Sequence, residues 1–399
     1  MKTYVLIEGI YDTVDLFSEE IREYLTSRRD RCIVLHQNTM DKDLKKLLGP
    51  HIDAVIAFNN LGYSLGNNEG GNLWDLLGTR YINILMDHPF HYHNQLLSMP
   101  KCAEVYCVDQ NHVDYIRKYY PHIRHTGFIP HAGCMHAIRR LSTKNSEKNG
   151  VSVDNKSTFN RDIDILYAGN LSRIMIEQLI PDFDLYPELD GILFSKEVLN
   201  RLIDDPSLTT EQAIIEHLSD LHIPIESPED ELRYINGFRF IDGFATSYYR
   251  ELSVRILAEN GFKVSILGLG WEQCGWIDTP NVTLLGKVNA AEVLPYMKRS
   301  KIVLNTLTWF KRGMHDRIIN GLMSGAYILS DTSEYLKEIT DGILPLLPMT
   351  LFDPLNIEEL PYTAELILSD YERLHDRIEY GIKWANENHS WANRLETVL

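Results

Sequence analysis

The sequence predicts an α/β protein built from two doubly wound parallel-sheet domains, and three observations support this prediction. The chain has 399 residues, which is too long for one ordinary hydrophobic core and sufficient for two. Short apolar runs of strand length alternate with helical segments, which is typical of parallel sheets covered by helices. A polar stretch at 142–160 interrupts this alternation and indicates an exposed linker.

Two helices are predicted between the first strands, at Asp15–Ser27 and Asp41–Leu48. Because parallel sheets bind ligands in the loops at the carboxyl ends of their strands, the residues after each strand are the first candidates for a site. The strands predicted for the first half are Tyr4–Ile7, Cys32–Leu35, Ala54–Phe58, Tyr81–Leu85 and Glu104–Val108. The strands predicted for the second half are Ile163–Tyr167, Lys263–Leu267, Val282–Leu285, Ile302–Asn305 and Tyr327–Leu329.

The domain boundaries follow from the breaks in this pattern. We assign residues 1–145 to a first domain, 146–160 to the linker and 161–375 to a second domain, with 376–399 as a helix that crosses back to the first domain. Residues 174–243 interrupt the second domain. They are rich in Leu, Ile, Glu and Asp and contain five prolines, which predicts several short helices.

The insertion has more than one interpretation. It is a surface subdomain or, because it leaves from the carboxyl end of a strand, a lid or acceptor-docking element. A contact between two copies of the chain through the insertion is a further alternative.

The composition excludes several classes of function. A net charge of −17 argues against a nucleic-acid-binding surface and against adhesion to anionic membranes, although a local basic pocket is compatible with it. No apolar stretch reaches membrane-spanning length, and Met1–Gly9 does not have the pattern of a secretory signal. The five cysteines are scattered, which favours free thiols and a cytoplasmic location.

The segment Lys311–Asp331 contains the strongest signal for a ligand site. His315 and Arg317 precede an apolar helical run that ends at a glycine, and a short apolar strand follows. The free N–H groups and the positive dipole end of a helix N-terminus add to the side-chain charges, so this pattern predicts an anion site. The alternative is that Arg317 pairs with a neighbouring carboxylate such as Asp316 or Asp331.

Two glycine turns follow predicted strands of the second domain. Gly169 and Asn170 end the first of these strands, and Gly268 and Gly270 lie in the GLGW turn after the next one. A missing Cβ lets a diphosphate approach backbone N–H groups, so the two turns together favour a nucleotide site. Each turn alone has a plain alternative, since glycine at a strand end also relieves crowding.

A polar segment, MDHPFHYH at 86–93, follows a buried strand of the first domain. Asp87 and His88 are our candidates for a general base there. A zinc site formed by His88, His91 and His93 is a weaker interpretation, because the spacing lacks a helical i,i+4 pair, and we predict no metal site. The plain alternative is that these histidines bind the backbone.

Three further residues are expected to line a cleft between the domains. Glu8 and Gly9 end the first strand, and His131 lies in the IPHAG segment just before the linker.

The order of segments in the second domain resembles that of glycosyltransferases with the GT-B fold, which consist of two Rossmann-like domains. Within them, the chain is most similar to the spore-maturation, CgeB-like group-1 transferases, mainly in its second half. The similar segments are AGNLSR, a helix with Arg250, GLGW, LLGKV, the H-x-R run with SGAYILSD, and HSW followed by Arg394.

This resemblance implies a nucleotide-sugar-dependent, hexosyltransferase-like enzyme of bacterial type. It implies a UDP-sugar donor and neither metal nor cofactor, because fixed donors around the leaving diphosphate stabilise its charge. The acceptor, a protein, glycan or small molecule, would approach from the first domain past Asp87 and His88. The residues that it implies for donor binding are Gly169, Asn170, Arg173, Gly268, Gly270, Lys287, His315, Arg317 and Asn320.

One departure from the related transferases concerns the ribose. They usually carry a glutamate, which can accept ribose hydroxyls, at the position of Asn320. An amide can also bind a ribose, but two alternatives stay open. One is a catalytically silent GT-B-like subunit that binds a partner transferase, and the other is a GT-B-like sugar-nucleotide epimerase.

Overall fold

The chain forms two compact units in the computed structural model, which describes residues 1–66, 71–141, 161–171, 176–307 and 310–399. The predicted linker, 146–160, lies outside the described residues. The first unit comprises the described residues of Met1–Lys156 together with Asn289–Ala291 and Trp384–Leu399. The second unit comprises those of Ser157–Val288 and Glu292–Lys383.

The sheet of the first unit contains the parallel strands β1 (Thr3–Glu8), β2 (Arg31–His36), β3 (Ala54–Phe58), β4 (Arg80–Leu85), β5 (Ala103–Cys107) and β6 (His125–Phe128). Their order is β2-β1-β3-β4-β5-β6. Every residue of β1 and β3 is buried, as expected for central strands with both faces covered. The strand order reverses between β1 and β3, so a ligand crevice is expected at their carboxyl ends.

The sheet of the second unit contains the parallel strands β7 (Ile163–Ala168), β8 (Val264–Leu267), β9 (Val282–Gly286), β10 (Ser300–Asn305), β11 (Tyr327–Ser330) and β12 (Met349–Leu351). Their order is β12-β11-β10-β7-β8-β9. The order reverses between β7 and β10, which we call the switch point of the second sheet. Sheets of this kind bind their ligands at such a point.

Helices connect the strands in both units. Those of the first unit span Asp12–Ser27, Met40–Asp43, Leu73–Leu77, His93–Leu97, Gln110–Tyr119 and Trp391–Leu395. Those of the second unit span Gly191–Asp204, Thr210–Asp220, Pro228–Phe238, Phe240–Glu259, Asp316–Met323, Glu334–Thr340 and Leu360–Ser369. Two more, Ala290–Arg299 and His375–Asn388, have residues in both units. Within the described ranges, no helix has the length and apolarity needed to cross a membrane.

The insertion between β7 and β8 is helical, as predicted. Its helices enclose a hydrophobic core of their own, with Phe194 and Phe238 almost fully buried. We call the helix Phe240–Glu259 the bridging helix, because its first half contributes Ile241 to this core. Its second half contributes Val254 to the core beneath the second sheet. The insertion and the sheet therefore share one continuous helix.

The predicted strands are all present, and two edge strands are additional. The strand β6 has four residues and β12 has three, and neither contains a continuous buried apolar run. Such short edge strands lack the signal that identifies central strands in a sequence. The helix predicted at Asp41–Leu48 is a short helix, Met40–Asp43, that continues as a 3-10 turn, Leu44–Leu47.

The segment Trp384–Leu399 belongs to the first unit. The ring of Trp391 is buried, with its centre 5.1 Å from that of Phe17 and 5.4 Å from that of Phe58. The Arg394 guanidinium donates hydrogen bonds of 2.9 Å to the carbonyl oxygen of Pro130 and 3.1 Å to that of His131. These contacts make the segment part of the first core.

Candidate functional site

The carboxyl ends of β7 and β10 meet at the switch point of the second sheet, and several predicted site residues lie there. Gly169 and Asn170 follow β7 directly, and Asn305 is the last residue of β10. Arg317 reaches the same point from the first turn of the helix Asp316–Met323, which we call the cation helix.

The Arg317 guanidinium is half-buried and is held by uncharged groups. Its Nη1 donates a hydrogen bond of 2.8 Å to Asn305 Oδ1, and its Cζ lies 5.6 Å from the centre of the Tyr167 ring. A Cβ added to Gly169 would lie 3.4 Å from Arg317 Nη2. The same Cβ would lie 3.2 Å from Tyr167 Cε1, so glycine lets the turn at the end of β7 pass close to the guanidinium and the Tyr167 ring.

The carboxylates nearest to Arg317 in the sequence are engaged elsewhere. Asp316 Oδ2 accepts a hydrogen bond of 3.1 Å from Asn320 Nδ2, and Asp331 Oδ1 accepts one of 2.6 Å from the N–H of Leu307. Among the described residues, Arg317 forms no ion pair. The alternative in which a neighbouring carboxylate neutralises Arg317 therefore does not hold, and its charge is available to a ligand.

The two glycine turns are joined by backbone hydrogen bonds. The N–H of Gly169 donates to the carbonyl of Leu267 at 2.8 Å, and the N–H of Leu171 donates to that of Leu269 at 2.8 Å. Asn170 Oδ1 accepts a hydrogen bond of 2.9 Å from the N–H of Leu269. Asn170 therefore connects the turn after β7 to the GLGW turn after β8.

Close approach of the two turns explains both glycines of GLGW. The φ angles are +144° at Gly268 and +91° at Gly270, which side chains rarely adopt. A Cβ at Gly268 would collide with the carbonyl oxygen of Gly169, and one at Gly270 with that of Leu171. Crowding alone accounts for these two glycines.

A second guanidinium, that of Arg250 in the bridging helix, lies at the same turn. Its Nη1 donates a hydrogen bond of 2.7 Å to the carbonyl oxygen of Asn170. Burial lowers the pKa of Arg250, and the positive charge of Arg317 lowers it further. An anion bound beside both guanidinium groups would relieve this repulsion.

Arg250 is predicted as part of a helix and is not among the site residues that the sequence predicts. Because Arg250 lies 80 residues from Asn170 in the sequence, no local motif joins the two residues. The available signal was the presence of Arg250 among the segments that resemble transferases.

Two predicted donor residues of the cation helix are buried. His315 occupies the N-cap position of the helix, and its ring lies edge-on to that of Phe310 with centres 4.9 Å apart. Asn320, with its side chain bonded to Asp316, is 3% exposed. Contact of a ribose with the Asn320 amide would require this hydrogen bond to rearrange.

The remaining donor residues of the prediction lie in loops. Lys287 is exposed and follows Gly286, whose carbonyl oxygen accepts a hydrogen bond of 3.0 Å from the N–H of Gly268. The LLGKV segment is therefore next to the GLGW turn. Arg173 lies outside the described residues.

The first unit presents Asp87 at the carboxyl end of β4. This carboxylate is exposed, and its Oδ2 accepts hydrogen bonds of 3.0 Å from Asn59 Nδ2 and 2.8 Å from the Tyr92 hydroxyl. Burial and the neighbouring Asp87 charge raise the pKa of Tyr92, so this hydroxyl stays a donor. Asp87 is thereby held in one orientation, with Oδ1 facing no partner in the described part of the chain.

The structure does not bring His88 to Asp87. His88 is 5% exposed, its Nδ1 accepts a hydrogen bond of 3.2 Å from the N–H of Phe90, and its ring stacks on that of Phe90 at 3.7 Å. His93 Nδ1 lies 2.8 Å from the Tyr120 hydroxyl. Within the described ranges, no group of three or more His, Cys, Asp or Glu side chains is arranged to hold a metal ion.

The cleft candidates of the first domain are placed as follows. Glu8 is buried, and burial raises the pKa of its carboxyl. The N–H of Gly9 donates a hydrogen bond of 2.9 Å to Asp15 Oδ1. His131 is buried with its ring 6.3 Å from that of Phe17. Gly9 thus lies at the carboxyl end of β1, while His131 is part of the first core.

Comparison with protein families gives one match. Residues 250–399 match a family described as glycosyl transferase-like. This segment starts at Arg250 and includes the GLGW turn and the cation helix, but it covers less than half of the chain. Comparison with curated protein sequences gives no match.

Solved structures share the fold. A sucrose-phosphate synthase from Thermosynechococcus elongatus aligns with a TM-score of 0.52 and 10% sequence identity, over 100% of this chain and 97% of that chain. A glycosyltransferase from Rickettsia africae ESF-5 aligns with a TM-score of 0.48 and 10% identity, over 99% of this chain and 96% of that chain. The first likeness and the two six-stranded parallel sheets confirm the predicted GT-B fold. The closer resemblance to the CgeB-like family stays a prediction.

Proposed function

We propose that this protein is a glycosyltransferase that takes a sugar from a nucleotide-sugar donor. The observation that carries the proposal is the Arg317 guanidinium, half-buried at the switch point of the second sheet and held by neutral groups. A nucleotide sugar contains a diphosphate, and negative charge develops on it as the bond to the sugar breaks. The match of residues 250–399 and the GT-B fold support this function.

The proposed donor site uses both guanidinium groups. The diphosphate would lie near Gly169 and receive hydrogen bonds from Arg317 and Arg250. The N-terminus of the cation helix adds free N–H groups and the positive end of its dipole. Because these fixed charges stabilise the leaving group, we propose a reaction that needs no metal ion. The resemblance to group-1 transferases makes UDP the proposed nucleotide, with Lys287 beside it.

On the acceptor side, we propose Asp87 as the general base. Asn59 and Tyr92 fix its Oδ2, and Oδ1 of the exposed carboxylate can accept the proton of an acceptor hydroxyl. The acceptor is a protein, a glycan or a small molecule with such a hydroxyl. His88 supports this loop, because its side chain caps the turn Pro89–Tyr92.

A second candidate function is favoured by one observation. The Asn320 side chain stands where related transferases have a ribose-binding carboxylate, and it is buried and bonded to Asp316. A GT-B-like subunit that supports a partner transferase without binding a donor needs no ribose contact. Donor binding separates this candidate from an active enzyme.

The test is isothermal titration calorimetry of the purified protein with UDP, GDP, dTDP and CMP. We expect the protein to bind UDP in preference to the other three nucleotides. We expect Arg317→Ala to weaken this binding. A protein that binds none of the four is not the proposed enzyme, and the silent subunit would then be favoured. Incubation with the corresponding nucleotide sugar alone, followed by NMR, distinguishes an epimerase, which would convert the sugar without an acceptor.

A further inference from the structure

The loop that leads into the cation helix is tied to the insertion by one side chain. Lys311 Nζ donates a hydrogen bond of 2.6 Å to the carbonyl oxygen of Pro206. Pro206 follows the last turn of the helix Gly191–Asp204, which we call the anchor helix. The C-terminus of a helix is the negative end of its dipole, so a lysine ammonium is favoured just beyond it.

The Lys311 ammonium also lies within electrostatic reach of two carboxylates. Hydrogen bonds from Ser207 hold the pKa of Asp205 below its ordinary value, and the Lys311 charge lowers it further. At the other side, Lys311 opposes the effect of burial on the pKa of Asp331, at the carboxyl end of β11. The Lys311 ammonium therefore lies between the C-terminal end of the anchor helix and the carboxyl end of β11.

The bridging helix is attached to the same end of the anchor helix. The Tyr249 hydroxyl lies 2.8 Å from the carbonyl oxygen of Ile203 and 3.2 Å from that of Leu202. The next residue is Arg250, which donates to the turn after β7. The loop before the cation helix and the helix that carries Arg250 are thus both hydrogen-bonded at the C-terminal end of the anchor helix. The loop is bonded to Pro206, just beyond this helix, and the bridging helix to Leu202 and Ile203 in its last turn.

From these contacts, and resting on the function proposed above, we infer that Lys311 is a positioning residue for the donor site and that the insertion sets the path of the loop before the cation helix. The insertion is then a structural part of the donor site. This differs from a lid that moves independently of it.

The rest of the loop is held by the start of the helix Glu334–Thr340. The carbonyl oxygen of Lys311 accepts a hydrogen bond of 2.9 Å from the N–H of Glu334, and that of Gly313 accepts one of 2.6 Å from the Ser333 hydroxyl. These backbone contacts do not involve the Lys311 ammonium. Loss of the ammonium should therefore leave the fold intact and change mainly the position of the loop.

The experiment compares UDP binding by calorimetry in the wild type, Lys311→Met and Lys311→Arg. Lys311→Met keeps the aliphatic stem and removes the charge, and we expect a dissociation constant raised about tenfold with little change in melting temperature. Lys311→Arg keeps a cationic donor and should recover part of the affinity. Lys301→Ala is the control, because Lys301 pairs with Asp164 at 2.7 Å, between the second residues of neighbouring strands in the same unit.

A second readout needs no ligand. Amide hydrogen exchange in the segment 313–317 should be faster in Lys311→Met than in the wild type, and unchanged in Lys301→Ala. Unchanged exchange together with unchanged UDP affinity in Lys311→Met would overturn the inference while leaving the proposed function intact. A wild type that binds no nucleotide would instead overturn the proposed function. In that case faster exchange in Lys311→Met would still support the tie to the insertion.

Discussion

A half-buried charged side chain that forms no ion pair is costly, and within the described residues Arg317 is such a side chain. Removing a guanidinium from water costs free energy that an ion pair would partly return. Asn305 and the Tyr167 ring orient Arg317 without cancelling its charge. The side chain therefore adds little to stability and is suited to bind an anion.

The first prediction concerns this charge. Arg317→Ala should weaken UDP binding by about 1.5–3 kcal/mol, the range for a hydrogen bond to a charged group. Calorimetry on the folded variant measures the change. Arg299→Ala is the control, because Arg299 is exposed and pairs with Asp162 in the same unit. Equal affinity in Arg317→Ala and the wild type would remove Arg317 from the donor site.

The second prediction concerns the acceptor side. Asp87→Asn keeps the hydrogen bond from Tyr92 but removes the base, so turnover should fall by about 10²–10⁴-fold while donor affinity is nearly unchanged. Release of nucleoside diphosphate from the donor reports turnover. Asp114→Asn, at an exposed helix position, is the control. We would abandon Asp87 as the base if its variant kept wild-type turnover.

A double variant of Asp87 and His88 would test whether the two side chains act together, and the burial of His88 affects how its result is interpreted. If Asp87 and His88 act as one unit, a double change should cost little more than the worse single change. Because His88 is buried against Phe90, His88→Ala should also lower the melting temperature, which Asp87→Asn should not do. Turnover must therefore be measured on the folded fraction of each variant.

The GLGW turn acts as one element with the turn after β7, and the third prediction tests this. Gly261 and Gly270 have nearly equal φ angles of +89° and +91°, but a Cβ would meet nothing within 4 Å at Gly261 and the Leu171 carbonyl at Gly270. Gly261→Ala should therefore cost only the conformational strain, about 1–2 kcal/mol of unfolding free energy. Gly270→Ala should cost about 1–3 kcal/mol more, because the two turns must separate.

Urea unfolding of both variants measures the difference, and UDP calorimetry adds a functional readout. Only Gly270→Ala should weaken UDP binding, since only that substitution moves the turn that contains Gly169. Similar losses of stability in the two variants would show that the turns are not tightly packed.

The strand end at Asp331 gives the fourth prediction, a dependence of stability on pH. Burial raises the pKa of this carboxyl to about 7 from 3.8. In the unfolded chain it ionises near its ordinary value, so between about pH 4 and about pH 7 the folded protein retains a proton that the unfolded chain has lost. The contribution of Asp331 to the free energy of unfolding should therefore fall as the pH rises through this window, and it is largest below it.

Asp331→Asn keeps an oxygen for the N–H of Leu307 and removes the titration. Urea unfolding across the window should show that the variant gains stability relative to the wild type as the pH rises, by up to about 1.4 kcal/mol for each unit of pKa difference. Parallel pH curves for the two proteins would contradict a raised pKa at Asp331.

For the whole molecule, the sequence predicted both sheets because central parallel strands are continuous apolar runs. It also predicted the cation helix, since Arg317 and the helix start are adjacent in the chain. Arg250 and the burial of His88 depend on packing between segments far apart in sequence, which no local pattern encodes. The edge strands β6 and β12 are too short to be recognised.

The fifth prediction also belongs to the whole molecule. If the guanidinium groups and the helix N-terminus supply the positive charge at the diphosphate, turnover should be the same with and without EDTA. Rates of nucleoside diphosphate release in both conditions test this. Activity that is lost with the chelator and restored by a divalent cation would show that the charged groups of the chain are not sufficient.

The position of Trp391 has a consequence for the synthesis of the protein. Its ring completes the first core between Phe17 and Phe58, yet the ribosome produces it only after the whole second unit. Domains usually fold as units during translation, with the N-terminal one first. Here a nascent first unit keeps apolar surface uncovered until Trp384–Leu399 has emerged. The order of translation and the order in which the first core is completed therefore differ.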